Sequence, residues 1–210
     1  MLSSIKHKGF AVILSFPSAA GKSSLAKALL KIDFNLTLSI SATTRKARPN
    51  EVDGINYYFN SPNEFDKLIR QDALLEYAHI YGNYYGTPKD PIIKLLKQNK
   101  DVLFDIDYQG MVAIKQVLEN VVTIFILPPN LNTLKQRIQD RGQDSREVVE
   151  SRLKLATTEI EYAKDYDYIV VNDNFEVALK TIHSIIIAQR TNRVRLDLEH
   201  FLSRLKTPLN

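Results

Sequence analysis

The sequence predicts an α/β protein whose mostly parallel sheet is flanked by helices and interrupted by a small mixed α/β insertion. Three observations carry this. Short runs rich in Val, Ile and Leu alternate with segments of helical spacing, the pattern of strands buried on both faces of a sheet. An apolar run, a loop of small residues and a helical segment follow one another in "FAVILSFPSAAGKSSLAKALLK". From Leu36 to about Pro91 the alternation breaks and many of the tyrosines gather, which marks the insertion.

Taken in order, the spacing predicts a strand over Phe10–Ser15 and a helix over Lys22–Lys31. Inside the insertion, "SPNEF" reads as a capped helix start, with Ser61 at the N-cap, Pro62 in the first turn and Glu64 reaching back. Beyond it come a strand at Asp101–Ile106, a helix at Gly110–Leu118, a strand at Val121–Leu127 and a helix at Leu131–Gln139. A long polar helix over Ser145–Ala163, a strand at Tyr168–Val171 and an apolar-periodic helix from Phe175 complete the pattern. The expected division is a core of residues 1–35 and 92–210 and an insertion of residues 36–91.

Composition narrows the function classes. The 210 residues, 44% hydrophobic, fit one ordinary domain with a small insertion. There are no cysteines, so disulfides and thiolate metal sites are excluded, and four scattered histidines give no zinc spacing. No apolar run has the length of a membrane span, and the start of the chain lacks the shape of a signal peptide. The expectation is a cytoplasmic protein. The net charge of +4 is concentrated between Ile186 and Asn210, where five basic residues face two acidic ones. Without interleaved aromatics this reads as the solvated face of a last helix, and no nucleic-acid partner is expected.

The stretch "SFPSAAGKSS" has the ending of a phosphate-binding P-loop. In such a loop backbone N–H groups and a helix N-terminus converge on an anion. The candidate ATP contacts are Pro17, Ser18, Ala19, Ala20, Gly21, Lys22, Ser23 and Ser24, with Lys22 reaching the β and γ phosphates and the Ser23 hydroxyl on Mg²⁺. The usual pattern opens with glycine where Phe16 stands. A side chain there is expected to crowd the nucleotide, so Phe16→Gly is expected to tighten ATP binding. The competing reading of the loop is a plain strand-to-helix turn with an exposed Lys22.

The insertion supplies a second donor set. Arg45, Arg48, Tyr57 and Tyr85 combine two guanidinium groups with two phenols, suited to a phosphate monoester. Glu76 suits the adjacent N1–H and 2-amino donors of guanine, which adenine does not offer on that edge. Singly, each of these residues reads as a surface charge or an ordinary sheet residue. Their combination beside a phosphate loop carries the argument.

With "SISATTRKARPNEVDGINYYF", "GNYYGTP", "LFDIDYQG", "RIQDRG" and "VVND" in this order and spacing, the sequence resembles the guanylate kinase family from about Phe10 to Leu179. The resemblance implies a P-loop kinase fold with a GMP-binding insertion and a helical lid at about residues 137–163. It implies transfer of the γ-phosphoryl group of ATP to GMP, with Mg²⁺ accompanying ATP. By position, Ser41, Glu76 and Thr87 would read guanine, and Arg45, Arg48, Tyr57 and Tyr85 would hold the GMP phosphate. Asp105 would support hydrated Mg²⁺ together with Ser23, and Asp107 would help to hold GMP, although structural aspartates can occupy the same strand end. Arg141 and Arg152 would close over the ATP phosphates, and Asn172 would lie near the adenine. Lys22, Arg45, Arg141 and Arg152 are then the candidate catalytic residues. The implied partners are ATP and GMP, with no membrane, in a monomer or homodimer. The alternative is a guanylate-kinase-like module that has lost phosphoryl transfer and binds protein partners.

Overall fold

The computed structural model describes residues 5–17, 22–80, 82–139 and 146–206, and the side chains of Lys22, Ser23, Arg146 and Val148 are outside that description. In chain order the elements are β1 (Ala11–Ser15), α1 (Lys22–Ile32), β2 (Leu36–Leu38), β3 (Ala42–Thr43), β4 (Tyr58–Phe59) and α2 (Pro62–Arg70). Next are β5 (Leu74–Ile80), β6 (Asn83–Pro88), α3 (Lys89–Lys97), β7 (Asp101–Asp105), α4 (Tyr108–Val117) and β8 (Val121–Leu127). The remainder is α5 (Leu131–Gln139), α6 (Arg146–Glu159), a 3-10 segment Ile160–Asp165, β9 (Tyr168–Val171), α7 (Phe175–Arg190), a short 3-10 turn Arg193–Arg195 and α8 (Leu198–Leu205).

The main sheet has the order β2-β7-β1-β8-β9, and every pairing in it is parallel. Alternation along β1 builds both faces. Val12 and Leu14 join Leu25 and Leu29 of α1 and Ile182 and Ile186 of α7 in one cluster. Ala11 and Ile13 join Val102 and Phe104 of β7, Met111 and Ile114 of α4 and Ile92 of α3 in the other. A strand hydrophobic at every position is what such two-sided burial requires.

The second sheet, β4-β3-β6-β5, is mixed: β3 is parallel to β4 and antiparallel to β6, and β5 and β6 form a hairpin. Its own cluster is Ala42, Phe65 and Leu74. The helix α2 starts as "SPNEF" predicts, with a capping box in which Glu64 N–H donates to Ser61 Oγ (3.3 Å) and Ser61 N–H to Glu64 Oε2 (2.7 Å). One sequence boundary moves. β2, at the start of the expected insertion, is a strand of the main sheet, paired with β7. Its three residues are too few to show a period, which is why the change of sheet falls later than the change of composition.

The N-terminal ends of the strands are closed by a buried ionic cluster. Asp101, fully buried, accepts from Arg190 Nε (2.7 Å) and Asn35 Nδ2 (3.2 Å) and lies 3.0 Å from His7 Nε2. Arg190 Nη2 is 2.8 Å from Asp33, which also lies 3.3 Å from His183 Nε2. This ties α7 to the start of β7 and to the turn before β2, so the opposite rim, at the strands' C-terminal ends, is left to bind ligands.

Candidate active site

That rim is built by the ends of β1, β7, β8 and β9 and by the small sheet beyond β2. The segment expected to bind phosphate joins β1 to α1 in sequence, and Lys22 and Ser23 are in the first turn of α1. Ser18 to Gly21 lie outside the described residues, as do the side chains of Lys22 and Ser23. Pro17 is buried and Ser24 is exposed. Phe16 is only 9% exposed and belongs to the buried cluster that includes Leu25, Leu134 and Ile138 of α5, and Val149 and Ala156 of α6. The ring is therefore mostly a core side chain, and it also lines the cavity bordered by Asp107 and Tyr108.

The small-sheet side of the rim starts at β3. Thr43, fully buried, fixes the following turn, its hydroxyl donating to the Tyr84 carbonyl (2.9 Å) and accepting from Arg45 N–H (3.1 Å). The Arg45 guanidinium lies 5.3 Å from the centre of the Tyr57 ring and 5.8 Å from that of Phe59, within the range of cation–π attraction. Tyr57 in turn meets Tyr85 edge to face at 6.1 Å. Arg45, Tyr57 and Tyr85, separate in sequence, therefore form one cluster. Arg48 is exposed at the edge of the same turn.

Glu51 holds this turn together. Its carboxylate accepts from Arg45 Nη1 (3.0 Å) and Nη2 (2.9 Å) and from the Arg48 backbone N–H (2.7 Å). The hydrogen bond to Arg45 keeps the Glu51 carboxyl below its usual range and is the largest influence raising the Arg45 pKa. No role for Glu51 was predicted. The available signal was an acidic residue six positions after Arg45, with Asn50 between them at φ 72° to turn the chain back.

Glu76 and Thr87 meet across the β5–β6 hairpin, Thr87 Oγ1 donating to Glu76 Oε1 at 2.6 Å. Thr87 is fully buried. Burial pushes the Glu76 pKa up, the Thr87 hydrogen bond pulls it down, and the nearby Asp107 charge adds to the rise. The strands can approach because residue 86 is glycine: a Cβ there would lie 2.8 Å from the Glu76 carbonyl oxygen and 2.9 Å from Tyr77 Cβ. Tyr85 and Thr87 stand two residues apart on β6 and so on the same face.

Ser41, Glu51, Tyr57 and Asp105 line one cavity, walled on the other side by Ala26, Lys27 and Leu30 of α1. A neighbouring cavity is lined by Asp107, Tyr108, Phe16 and, from α6 and the 3-10 segment after it, Leu155, Thr158, Glu159 and Tyr162. Asp107 caps α4, its Oδ1 accepting from Gly110 N–H at 2.9 Å. One of its oxygens thus has the structural duty allowed for at this strand end. Tyr108 stacks on Tyr162 (centroids 4.0 Å, 9° between planes) and its hydroxyl donates to Asp165 (2.8 Å), joining α4 to the segment after α6. That link was not predicted.

Of the two arginines expected in a lid, Arg141 lies outside the described residues, whereas Arg152 is half-buried on α6. The predicted helix Ser145–Ala163 is an α-helix to Glu159 and a 3-10 segment beyond it. Asn172 is buried just past β9, its N–H donating to the Leu127 carbonyl (2.8 Å) and its carbonyl accepting from Arg137 Nη2 (3.0 Å).

A parallel α/β sheet with a strand–loop–helix junction at its rim, and beside it a small sheet that gathers Arg45, Tyr57, Tyr85 and Glu76, has the outline of a nucleotide-dependent kinase. Comparison with known proteins narrows it. The guanylate kinase family model matches residues 8–189. The chain is 59% identical to the guanylate kinase of Rickettsia typhi over 185 residues, 88% of this chain and 94% of that one. It is 43% identical to the guanylate kinase of Rhizobium etli over 192 residues, 91% of this chain and 87% of the other. The crystal structure of guanylate kinase from Anaplasma phagocytophilum superimposes with a TM-score of 0.77 at 31% identity, covering 98% of this chain and 99% of that one. The chain belongs to the guanylate kinase family.

Proposed function

We propose that this rim transfers the γ-phosphoryl group of ATP to GMP, giving ADP and GDP, through the residue roles that follow. Membership of a family of kinases favours this over a binding module without chemistry. Glu76, oriented by Thr87, accepts from N1–H and the 2-amino group of guanine, and Ser41 completes the base contacts. Arg45, Arg48, Tyr57 and Tyr85 hold the GMP phosphate. The observation that carries the assignment is that Glu76–Thr87 and the Arg45–Tyr57–Tyr85 cluster belong to one small sheet and the loops joining its strands. Thr87 and Tyr85 are spaced about 7 Å along a strand, the scale of the ribose between a base and its phosphate.

On the donor side, Lys22 and the loop N–H groups from Pro17–Ser24 take the ATP phosphates, Pro17 itself contributing no N–H. Arg141 and Arg152 approach from the lid, and Asn172 lies beside the adenine. The GMP phosphate is already anionic near neutral pH, so no general base is needed. Positioning and cationic charge between two anions lower the barrier, and lid closure excludes water as a competing acceptor. Mg²⁺ arrives with ATP in this reading. Among the described residues no three carboxylate or histidine side chains gather to hold a metal by themselves, and in this reading the Ser23 hydroxyl and Asp105, through water, would supply oxygen donors of the kind Mg²⁺ prefers. The ion would neutralise the β and γ phosphates. Asp107 borders GMP while it caps α4.

Among the described residues no helix is long and apolar enough to cross a membrane, and we place the activity in the cytoplasm. The working form in this reading is a monomer or a homodimer. The core of residues 1–35 and 92–210 and the GMP-binding insertion of residues 36–91 form the working division, with β2 as their shared border.

The test measures ADP formation from MgATP with GMP, AMP, UMP, CMP or no acceptor, with Lys22→Ala as control. Turnover confined to GMP and lost in Lys22→Ala supports the reading. Equal turnover with AMP sinks the role of Glu76.

A further inference from the structure

We propose that Glu51 is a positioning residue for GMP, selecting which edge of the Arg45 guanidinium is offered to the GMP phosphate. The inference rests on the assignment of Arg45 to that phosphate. A guanidinium carries five N–H donors in a fixed plane. The two oxygens of Glu51 take one proton each from Nη1 and Nη2, and the Lys46 carbonyl takes another from Nη1 at 2.8 Å. Glu51 and Lys46 leave the edge that carries the Nε–H and the second Nη2 proton, a two-pronged donor suited to two phosphate oxygens, and Tyr85 is a further hydrogen-bonding neighbour of Arg45.

The guanidinium carbon lies 5.3 Å from the centre of the Tyr57 ring, within cation–π range. Tyr85, assigned to the same phosphate, is close enough to interact with Arg45. The second hold of Glu51, on the Arg48 N–H, places the two arginines in one turn. Glu51 also lines the cavity with Ser41, Tyr57 and Asp105, so its negative charge stands where an anion must enter.

That placement gives the inference a sign. If only the local field mattered, removing the Glu51 charge would tighten GMP binding. If Glu51 positions Arg45, removing it weakens GMP binding although the site becomes more positive. Because the assigned ATP contacts lie elsewhere, the loss is confined to GMP.

The experiment is a steady-state double-mutant cycle with Glu51→Gln, Arg45→Ala and the double variant, and Glu51→Asp as a fourth protein. KM for GMP and for ATP are measured for each. The expected result is a rise of roughly tenfold in KM for GMP on Glu51→Gln, the scale on which a supporting partner of a ligand-holding group acts, with KM for ATP unchanged. Glu51→Asp keeps the charge but shortens the reach, and is expected to show a rise as well. In the Arg45→Ala background Glu51→Gln should add almost nothing, since it acts through Arg45. A fall in KM for GMP, or an equal rise in both backgrounds, would overturn the proposal, the second outcome making Glu51 a loop staple. If Arg45→Ala leaves KM for GMP unchanged, the assignment of Arg45 fails first and takes the proposal with it. A rise for Arg45→Ala without one for Glu51→Gln refutes the proposal alone.

Discussion

Replacing Phe16 by alanine is expected to destabilise the protein rather than open its nucleotide site. The ring is 9% exposed and shares a buried cluster with α1, α5 and α6. Removing a buried Phe side chain costs about 3–5 kcal/mol, the transfer of the lost atoms plus the cavity left behind. Phe16 also borders an open cavity, where the surroundings can collapse, so the lower end applies: about 3 kcal/mol. That is a large share of the roughly 5–15 kcal/mol by which a domain is stable. For a chain of this size it lowers Tm by about 6–12 °C. Phe16→Gly should fall further, because glycine adds backbone freedom to the unfolded chain. Thermal unfolding followed by circular dichroism, with and without ATP, measures both effects. A Tm within about 2 °C of the parent together with a lower KM for ATP would refute the reasoning and restore the view that the ring obstructs the nucleotide.

Glu76→Gln keeps an acceptor for Thr87 but turns a donor toward the donors of guanine, and KM for GMP should rise about 10- to 100-fold, the value of lost charge-assisted hydrogen bonds. Burial holds the Glu76 pKa above its ordinary value, so GMP affinity in the parent should fall with decreasing pH earlier than an ordinary carboxylate would allow, measured as a KM–pH profile. The same raised pKa opposes folding once the carboxyl ionises, as pH rises through it. Glu76→Gln should therefore have the higher Tm at pH 8 and lose that advantage in acid; equal Tm values at both pH extremes would contradict it. Gly86→Ala places a methyl group 2.8 Å from the Glu76 carbonyl, so it should raise KM for GMP with little effect on KM for ATP. Asp101→Ala leaves Arg190 with Asp33 alone in a buried setting, a change that costs about 3–5 kcal/mol and should appear in chemical denaturation with KM values intact.

The main sheet was legible because its strands are buried on both faces, and runs such as "FAVIL" and "VVTIFIL" leave no other assignment. The cap of α2 was legible because Ser61, Pro62 and Glu64 act within one turn. What could not be read was anything made by pairing across the chain. β2 lies in the main sheet because of its register with β7, Leu36 standing opposite Asp101, which is far along the chain from the short turn that leads into β2. Phe16 looked like a loop residue, since its burial depends on helices more than a hundred positions away. Of the acceptor site, the residue types were visible but the bond from Arg45 to Glu51 was not. A glutamate in a polar turn has no periodicity to reveal it, and its meaning comes from Asn50 and the closed loop around it.

The parallel order of the main sheet also governs how the chain is made. β1, apolar at nearly every position, lies between β7 and β8, with Ala11 opposite both Val102 and Val121. It emerges from the ribosome about a hundred residues before either neighbour exists. At roughly 5–20 residues per second that is a wait of about 5–20 s, during which the β5–β6 hairpin, whose contacts are local, can already close. The centre of the finished sheet is thus the segment most exposed to the wrong partner during synthesis, and the one that a chaperone would be expected to shelter.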